Sequence, residues 1–118
     1  MSEKDFVFLG HILESVEAIE SFVKGISKEI IANDRLRQNA VIRELEIIGE
    51  AVKNVSNELK EKYRDVEWKK ITGTRDKLIH YYFGLDFDTI WDVLEHDLPE
   101  LKEQIKDILS REKIKNKL

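Results

Sequence analysis

The residues best suited to chemistry lie in one run, Arg75-Asp76-Lys77-Leu78-Ile79-His80-Tyr81-Tyr82. On a helix of 3.6 residues per turn, Asp76 and His80 are four apart and share a face, so the carboxylate can accept a hydrogen bond from one ring nitrogen of the imidazole. That bond fixes the tautomer and leaves the other nitrogen to exchange a proton with a substrate. Arg75 and Tyr82, seven apart, share a neighbouring stripe about 10 Å apart along the axis. Arg75 lies about 140° round from His80, within the swing of its long arm, and its planar fork suits a phosphate.

A proton carrier beside a phosphate clamp is the minimum for cleaving RNA without a metal. A base takes the proton of a ribose 2′-hydroxyl, the oxygen attacks the adjacent phosphorus, and the guanidinium steadies the charge on the phosphoryl oxygens. One arginine and one histidine are sparse for both proton transfers, so a two-fold dimer bringing together two copies of this helix would supply a second pair and a groove for the strand. On spacing alone a structural role fits as well. Arg75 and Asp76 are then surface charges, His80 a satisfied histidine at a helix interface, and Tyr82 a core aromatic with its hydroxyl at the rim.

Other chemistries find few residues. The chain has no Cys, three His and no Glu-x-x-His pair, so thiolate zinc sites and di-metal carboxylate bundles lack their ligands, and no metal or cofactor is expected. No glycine-rich phosphate loop is present. His96, with Asp92 four residues before it and Glu100 four after, reads as a solvated histidine flanked by carboxylates. His11 reads as a half-buried helix histidine. Without Cys, an apolar run of membrane-spanning length or a signal-peptide pattern, the expected location is the cytoplasm, with no membrane partner.

The formal charge of -4 argues against broad nucleic-acid binding, which draws most of its affinity from neutralised phosphates. The charge is unevenly spread. Residues 60 to 80 carry Lys60, Lys62, Arg64, Lys69, Lys70, Arg75 and Lys77 against Glu61, Asp65, Glu67 and Asp76, whereas residues 85 to 100 carry Asp86, Asp88, Asp92, Glu95, Asp97 and Glu100 with no Lys or Arg. The first stretch could meet phosphate and the second a basic partner, unless both are simply solvated helix faces.

Positioning these residues falls to helices. Five Gly and one Pro in a chain that is 37% charged leave little punctuation for strands, and an all-α fold is expected. Ser2 and Asp5 suggest a capping box for a first helix running to about Lys24, with Phe6, Leu9, Leu13, Val16, Ile19 and Val23 inward. Gly25 stops it, Ser27 caps a short turn through Ile31, and Asn33 or Asp34 opens the next element. Val41, Leu45, Ile48, Val52 and Val55 then form an a/d seam suited to a bundle. Residues 56–63 are a short helix or a frayed continuation. Trp68, Ile71, Leu78 and Tyr82 line the motif helix, in which Gly73 implies a close neighbour or a break. Gly84 and Asp86 lead into a helix with Ile90, Trp91, Leu94 and Leu98 inward, which Pro99 kinks or replaces by a fifth helix capped by Asp97. The domain organisation expected is a single helical bundle over 1–110 with a frayed basic tail at 111–118.

The motif and its flanks resemble a known family. Arg75-x-x-x-x-His80-x-Tyr82, preceded by Trp68-Lys69-Lys70-Ile71 and followed by Phe83-Gly84-Leu85-Asp86 and Ile90-Trp91, looks like the HepT-like toxins of the HEPN superfamily. The similarity extends to Ala40-Val41-Ile42-Arg43, Ile47-Ile48-Gly49-Glu50-Ala51 and Asp97-Leu98-Pro99-Glu100-Leu101. The resemblance implies an up-and-down bundle of four to five helices that forms a homodimer through the motif helix, with the active cleft at that interface. It implies an endoribonuclease toxin of a type VII-like toxin-antitoxin system acting on RNA rather than DNA, with Arg75 and His80 catalytic and Asp76 at the polar position beside the arginine. Tyr82 would be the residue to which an MntA-like nucleotidyltransferase antitoxin attaches AMP, silencing the toxin by placing a nucleotide in the groove. The alternative is a catalytically silent nucleotide-binding or adaptor module serving a nucleotidyltransferase.

Overall fold

The structure, a computed structural model, describes residues 1–80 and 87–117, excepting the side chains of 79, 80 and 114–117. The described residues contain no strand. Helix α1 spans Glu3–Val23, α2 Lys28–Ala32, α3 Arg35–Asn54, α4 Asn57–Lys62 and α5 Trp68–His80. After the undescribed residues 81–86, α6 (Phe87–Asp92) leads through a π-helical turn at Val93–Asp97 into α7 (Leu98–Lys117). The chain is an all-α bundle: α1 packs along α3, α3 carries α5, and α7 closes against α1.

Local chemistry accounts for the boundaries. Ser2, Ser27, Asp34 and Ser56 each cap a helix by accepting the backbone N–H three residues on, which satisfies a donor that the first turn leaves unpaired. Gly25 has a φ of 70°, the left-handed conformation that ends α1 where a side chain would be strained. Residues 57–62 are a separate short helix capped by Ser56, not a frayed end of α3.

The seam read on α3 is the core. Val41, Leu45, Ile48, Val52 and Val55 are all buried, and they pack with Leu9, Ile12, Val16 and Ile19 of α1 and Ile105 and Ile108 of α7. On α1 Leu9, Val16 and Ile19 are buried as expected and Leu13 and Val23 pack at the edge of the core, but the inward face also takes in two residues not expected there. Ile12 is fully buried, Phe6 and Leu13 are only partly so, and Asp5 stands on the inward face. Ser2 fills its half of the capping box, but Asp5 does other work. Its carboxylate accepts from the Ser56 backbone N–H at 2.8 Å and from the Ser56 hydroxyl at 2.7 Å, tying the start of α1 to the start of α4. A buried carboxylate is tolerated when both oxygens are occupied in this way.

Pro99 does not open a new helix capped by Asp97; the helical backbone runs on to it through the π turn. Asp92 and Leu98, on either side of the π turn, both have right-handed helical backbone, and the Leu98 N–H reaches the Val93 carbonyl. The wider turn lets the chain pass a residue that cannot donate. Helix α7 continues to Lys117, with Glu112 buried.

Gly73 sits in an unbroken α5, and a Cβ there would meet nothing within 4 Å among the described residues, so neither reason expected for it is found. The acidic and basic stretches partly answer one another within the chain: Lys70 lies 3.4 Å from Asp97, while Asp88 takes Lys28 at 2.6 Å.

Candidate active site

The site is built where α5 crosses α3. Beside its apolar seam, α3 carries Arg43, Glu46, Glu50 and Lys53 at steps of three, four and three, which makes one polar strip along the helix. Arg75 follows Ile71 by four residues and precedes Leu78 by three, so it occupies an inward position of α5 between apolar residues. Its aliphatic stem rests on Gly49. A Cβ at Gly49 would collide with the Arg75 Cβ and would lie 2.7 Å from its Cγ. Only glycine lets the two helices meet with an arginine between them.

The guanidinium is steered from both helices. One terminal nitrogen lies 2.9 Å from a Glu50 carboxylate oxygen and the other 3.3 Å from Asp76 Oδ1. The Arg75 Nε is buried and has no hydrogen-bond partner among the described residues. The side chain is 22% exposed, so it is gripped along its stem and open at its head. A guanidinium has five N–H donors, and two carboxylate contacts leave capacity for an anion.

Asp76 has a partner across the helix crossing that the spacing does not suggest. Its Oδ1 accepts a 3.3 Å hydrogen bond from Lys53 Nζ of α3, and that bond, reinforced by Arg75, holds its carboxyl below the usual range. Asp76 is therefore ionised at neutral pH and suited to accepting hydrogen bonds rather than delivering protons. The expected Asp76–His80 bond and the Arg75–Tyr82 stripe lie outside the described residues. Backbone geometry brings His80 onto α5 five residues beyond Arg75.

Sequence reasoning missed three partners. Glu50 and Lys53 lie on a polar strip legible in the spacing of α3, but nothing local says that α5 crosses there. His11 is exposed, not half-buried, and lines a cleft of about 320 Å³ with Phe8, Arg43, Glu46, Glu50 and Arg75. His96 stands exposed, 3.6 Å from Asp92, as a solvated pair. A second, more open groove of about 680 Å³ gathers Lys60, Arg64, Lys69 and Lys70 with Glu61 and Glu67 where α4 meets α5. Burial pushes the Lys60 ammonium down from its ordinary value. No helix among the described residues is long and apolar enough to cross a membrane.

Comparison with known proteins adds a family to this geometry. The family described as ribonuclease HepT-like matches residues 12–108. A protein named "Putative RNase" from Caldanaerobacter subterraneus subsp. tengcongensis is 49% identical over 106 residues, covering 90% of this chain and 95% of that protein. A "Probable ribonuclease HepT" from Thermococcus cleftensis is 42% identical over 107 residues, covering 91% and 96%. A "Gamma-glutamylcyclotransferase and putative RNase" from Methanocaldococcus jannaschii is 45% identical over 103 residues, which span 87% of this chain and 46% of that longer protein. No solved structure gives a significant match.

Proposed function

The chain belongs to the HepT-like ribonuclease family, and from that premise we propose that it is a metal-independent endoribonuclease, the cytoplasmic toxin of a type VII-like toxin-antitoxin pair. The observation that carries the reading is the seat of Arg75, a half-buried guanidinium over Gly49 that two carboxylates aim and that keeps donors for a phosphate.

In the proposed reaction His80 takes the proton from a ribose 2′-hydroxyl, and the 2′-oxygen forms a bond to the adjacent phosphorus. The bond from phosphorus to the 5′-oxygen breaks, and the departing oxygen takes up a proton. The products are a 2′,3′-cyclic phosphate and a 5′-hydroxyl end. Arg75 binds the phosphoryl oxygens as negative charge grows on them, an interaction stronger in the transition state than in the ground state. Asp76 orients both partners without changing its own protonation. A homodimer through the motif helix supplies the second proton carrier, and an MntA-like nucleotidyltransferase attaches AMP to Tyr82 to close the groove.

The test is cleavage of labelled RNA in the presence of chelator. Wild-type protein yields 2′,3′-cyclic phosphate ends, and His80→Ala lowers the rate by about 10²- to 10⁴-fold while remaining a folded dimer. Cleavage at the wild-type rate in His80→Ala overturns the reading, and tight ATP or AMP binding without RNA turnover moves it to the silent adaptor. After incubation with an MntA-like nucleotidyltransferase and ATP, intact mass rises by one AMP in wild type and stays unchanged in Tyr82→Phe. A mass gain that survives the substitution excludes Tyr82 as the modified residue.

A further inference from the structure

We propose that the cleft between α1 and α3 is the pocket for one nucleobase of the RNA strand, next to the phosphate held at Arg75; this rests on the ribonuclease reading above. Phe8 supplies the stacking surface and His11 the polar edge.

The cleft brings together what a nucleotide presents. Lys4, Phe8 and His11 recur on α1 at steps of four and three, which places them on one strip beside the buried Asp5–Leu9–Ile12 face. Lys4 Nζ stands 5.9 Å from the centre of the Phe8 ring. The rings of Phe8 and His11 lie 5.7 Å apart at 85°. At 85° the imidazole plane stands across that of a base stacked on Phe8, so the exposed His11 donates to or accepts from the base edge once its ring turns to bring a nitrogen towards it. His11 is exposed and has no hydrogen-bond or ion-pair partner among the described residues. The opposite walls hold Arg43 and Arg75, and the volume of about 320 Å³ is at the small end for a ligand pocket.

Charge alone does not explain such a cleft. Arg43 lies 3.6 Å from Glu46 and Arg75 lies 2.9 Å from Glu50, so each arginine already has a carboxylate beside it. In a protein of net charge -4, a strand gains little from bulk electrostatics here, and stacking must contribute a large share. A free phosphate or an acidic peptide would leave Phe8 unused. A base with its phosphate uses both the aromatic wall and the arginines.

The experiment measures binding of a short fluorescein-labelled oligoribonucleotide to the uncleaving His80→Ala protein by anisotropy, alongside KM for cleavage by the otherwise wild-type chain. Phe8→Leu, which keeps the apolar volume and removes the π face, is expected to weaken binding by about 5- to 150-fold, the range of one lost base–aromatic stack. KM then rises more than kcat falls. One abasic position in the oligomer abolishes the difference between the Phe8→Leu protein and its parent, and His11→Ala alters the preference among the four bases while His11→Asn retains part of it. Because few phosphates are engaged, binding falls only shallowly with salt, at roughly 0.7 of a log unit per decade for each phosphate.

The inference is overturned if the variants, helical by circular dichroism, bind within twofold of their parent, or if no oligomer binds. Phe8-dependent binding of 5′-AMP without any oligomer binding also overturns it, by assigning the pocket to a free nucleotide. RNA cleavage that is indifferent to Phe8 defeats the base pocket and leaves the ribonuclease reading intact. Phe8-dependent binding without any cleavage defeats the ribonuclease reading and leaves the pocket.

Discussion

Two clusters of charge sit at helix crossings in this molecule, one closed and one open. In the closed cluster, Glu112 of α7 is buried and accepts hydrogen bonds of 3.0 Å from both Lys62 Nζ and the Tyr63 hydroxyl at the end of α4. In the open one, Arg75 is gripped by Gly49 beneath and by Glu50 and Asp76 at its head, both of which are more than half exposed. The closed cluster commits its buried carboxylate to the fold, while the Lys62 side chain reaches solvent. The open cluster holds its cation in place and leaves part of it unspent. A buried charge that is fully partnered marks structure, and one that is aimed but incompletely satisfied marks a site.

Exchanging what each cluster loses is the strongest way to break that comparison. Arg75→Ala is expected to lower RNA cleavage by about 10³-fold or more, as removal of a guanidinium from a phosphoryl-transfer site does. Its effect on stability should be small, because its ion pairs are with exposed carboxylates and such pairs contribute roughly 0–1 kcal/mol. Cleavage rate and thermal denaturation are read on the same preparation. A melting temperature that collapses while the residual protein cleaves normally would reverse the assignment of the two clusters.

Glu112→Ala should do the opposite, leaving the specific activity of folded protein intact. Leaving a buried polar group without its acceptor costs about 1–3 kcal/mol, and the Tyr63 hydroxyl is the buried group that loses one here. Acid reaches the same cluster without a mutation. Burial pushes the Glu112 carboxyl up, but the hydrogen bonds from Lys62 and Tyr63 outweigh it and the net shift is downward. A carboxyl with a depressed folded pKa contributes stability that is complete above its unfolded pKa of about 4.3 and is lost as pH falls through the folded value. Urea midpoints measured from pH 6 down to pH 3 should therefore fall less steeply in Glu112→Gln than in wild type. Equal slopes would remove Glu112 from the account of acid stability.

Gly49→Ala sharpens the comparison from below. The added methyl group collides with the Arg75 stem, so α5 must shift or the arginine must move. A displacement of about 1 Å in a catalytic group costs on the order of 10²-fold, and a loss of that size in kcat is expected. At Gly73, where a Cβ meets nothing within 4 Å among the described residues, the same substitution should leave kcat within about twofold and add slightly to helix stability. If the two alanines behave alike, the close approach of α3 and α5 has no bearing on the site.

Much of this is legible in the spacing of residues. The a/d seam of α3, the caps at Ser2, Ser27 and Asp34 and the stop at Gly25 are local or periodic signals, and each stands where its pattern puts it. On α1 the pattern finds Leu9, Val16 and Ile19 but not Asp5, and only the position of Ser56, 51 residues away, makes a buried aspartate acceptable there. The same limit applies to the site. The residue types of Arg75 and Asp76 announce themselves, but Glu50, Lys53 and His11 become partners through helix crossings that no local pattern encodes. The π turn is similar: Pro99 predicts a disturbance, while the choice between break and bulge depends on what α7 packs against.

The smallest expected effect tests how finely the open cluster is tuned. Lys53 is the leading cause of the low Asp76 pKa, and both side chains are substantially exposed, so solvent already screens the pair. Lys53→Met removes the cation while keeping the stem, and the Asp76 carboxyl should then titrate nearer its ordinary value. At neutral pH Asp76 stays ionised in either protein, so cleavage should change no more than a few-fold. The difference should open only on the acid side, with the Lys53→Met rate falling at a higher pH than wild type as Asp76 becomes protonated and loses its hold on Arg75. An unshifted acid limb would mean that the Asp76 charge does not govern the reaction, and Glu50 would remain as the carboxylate that aims the arginine.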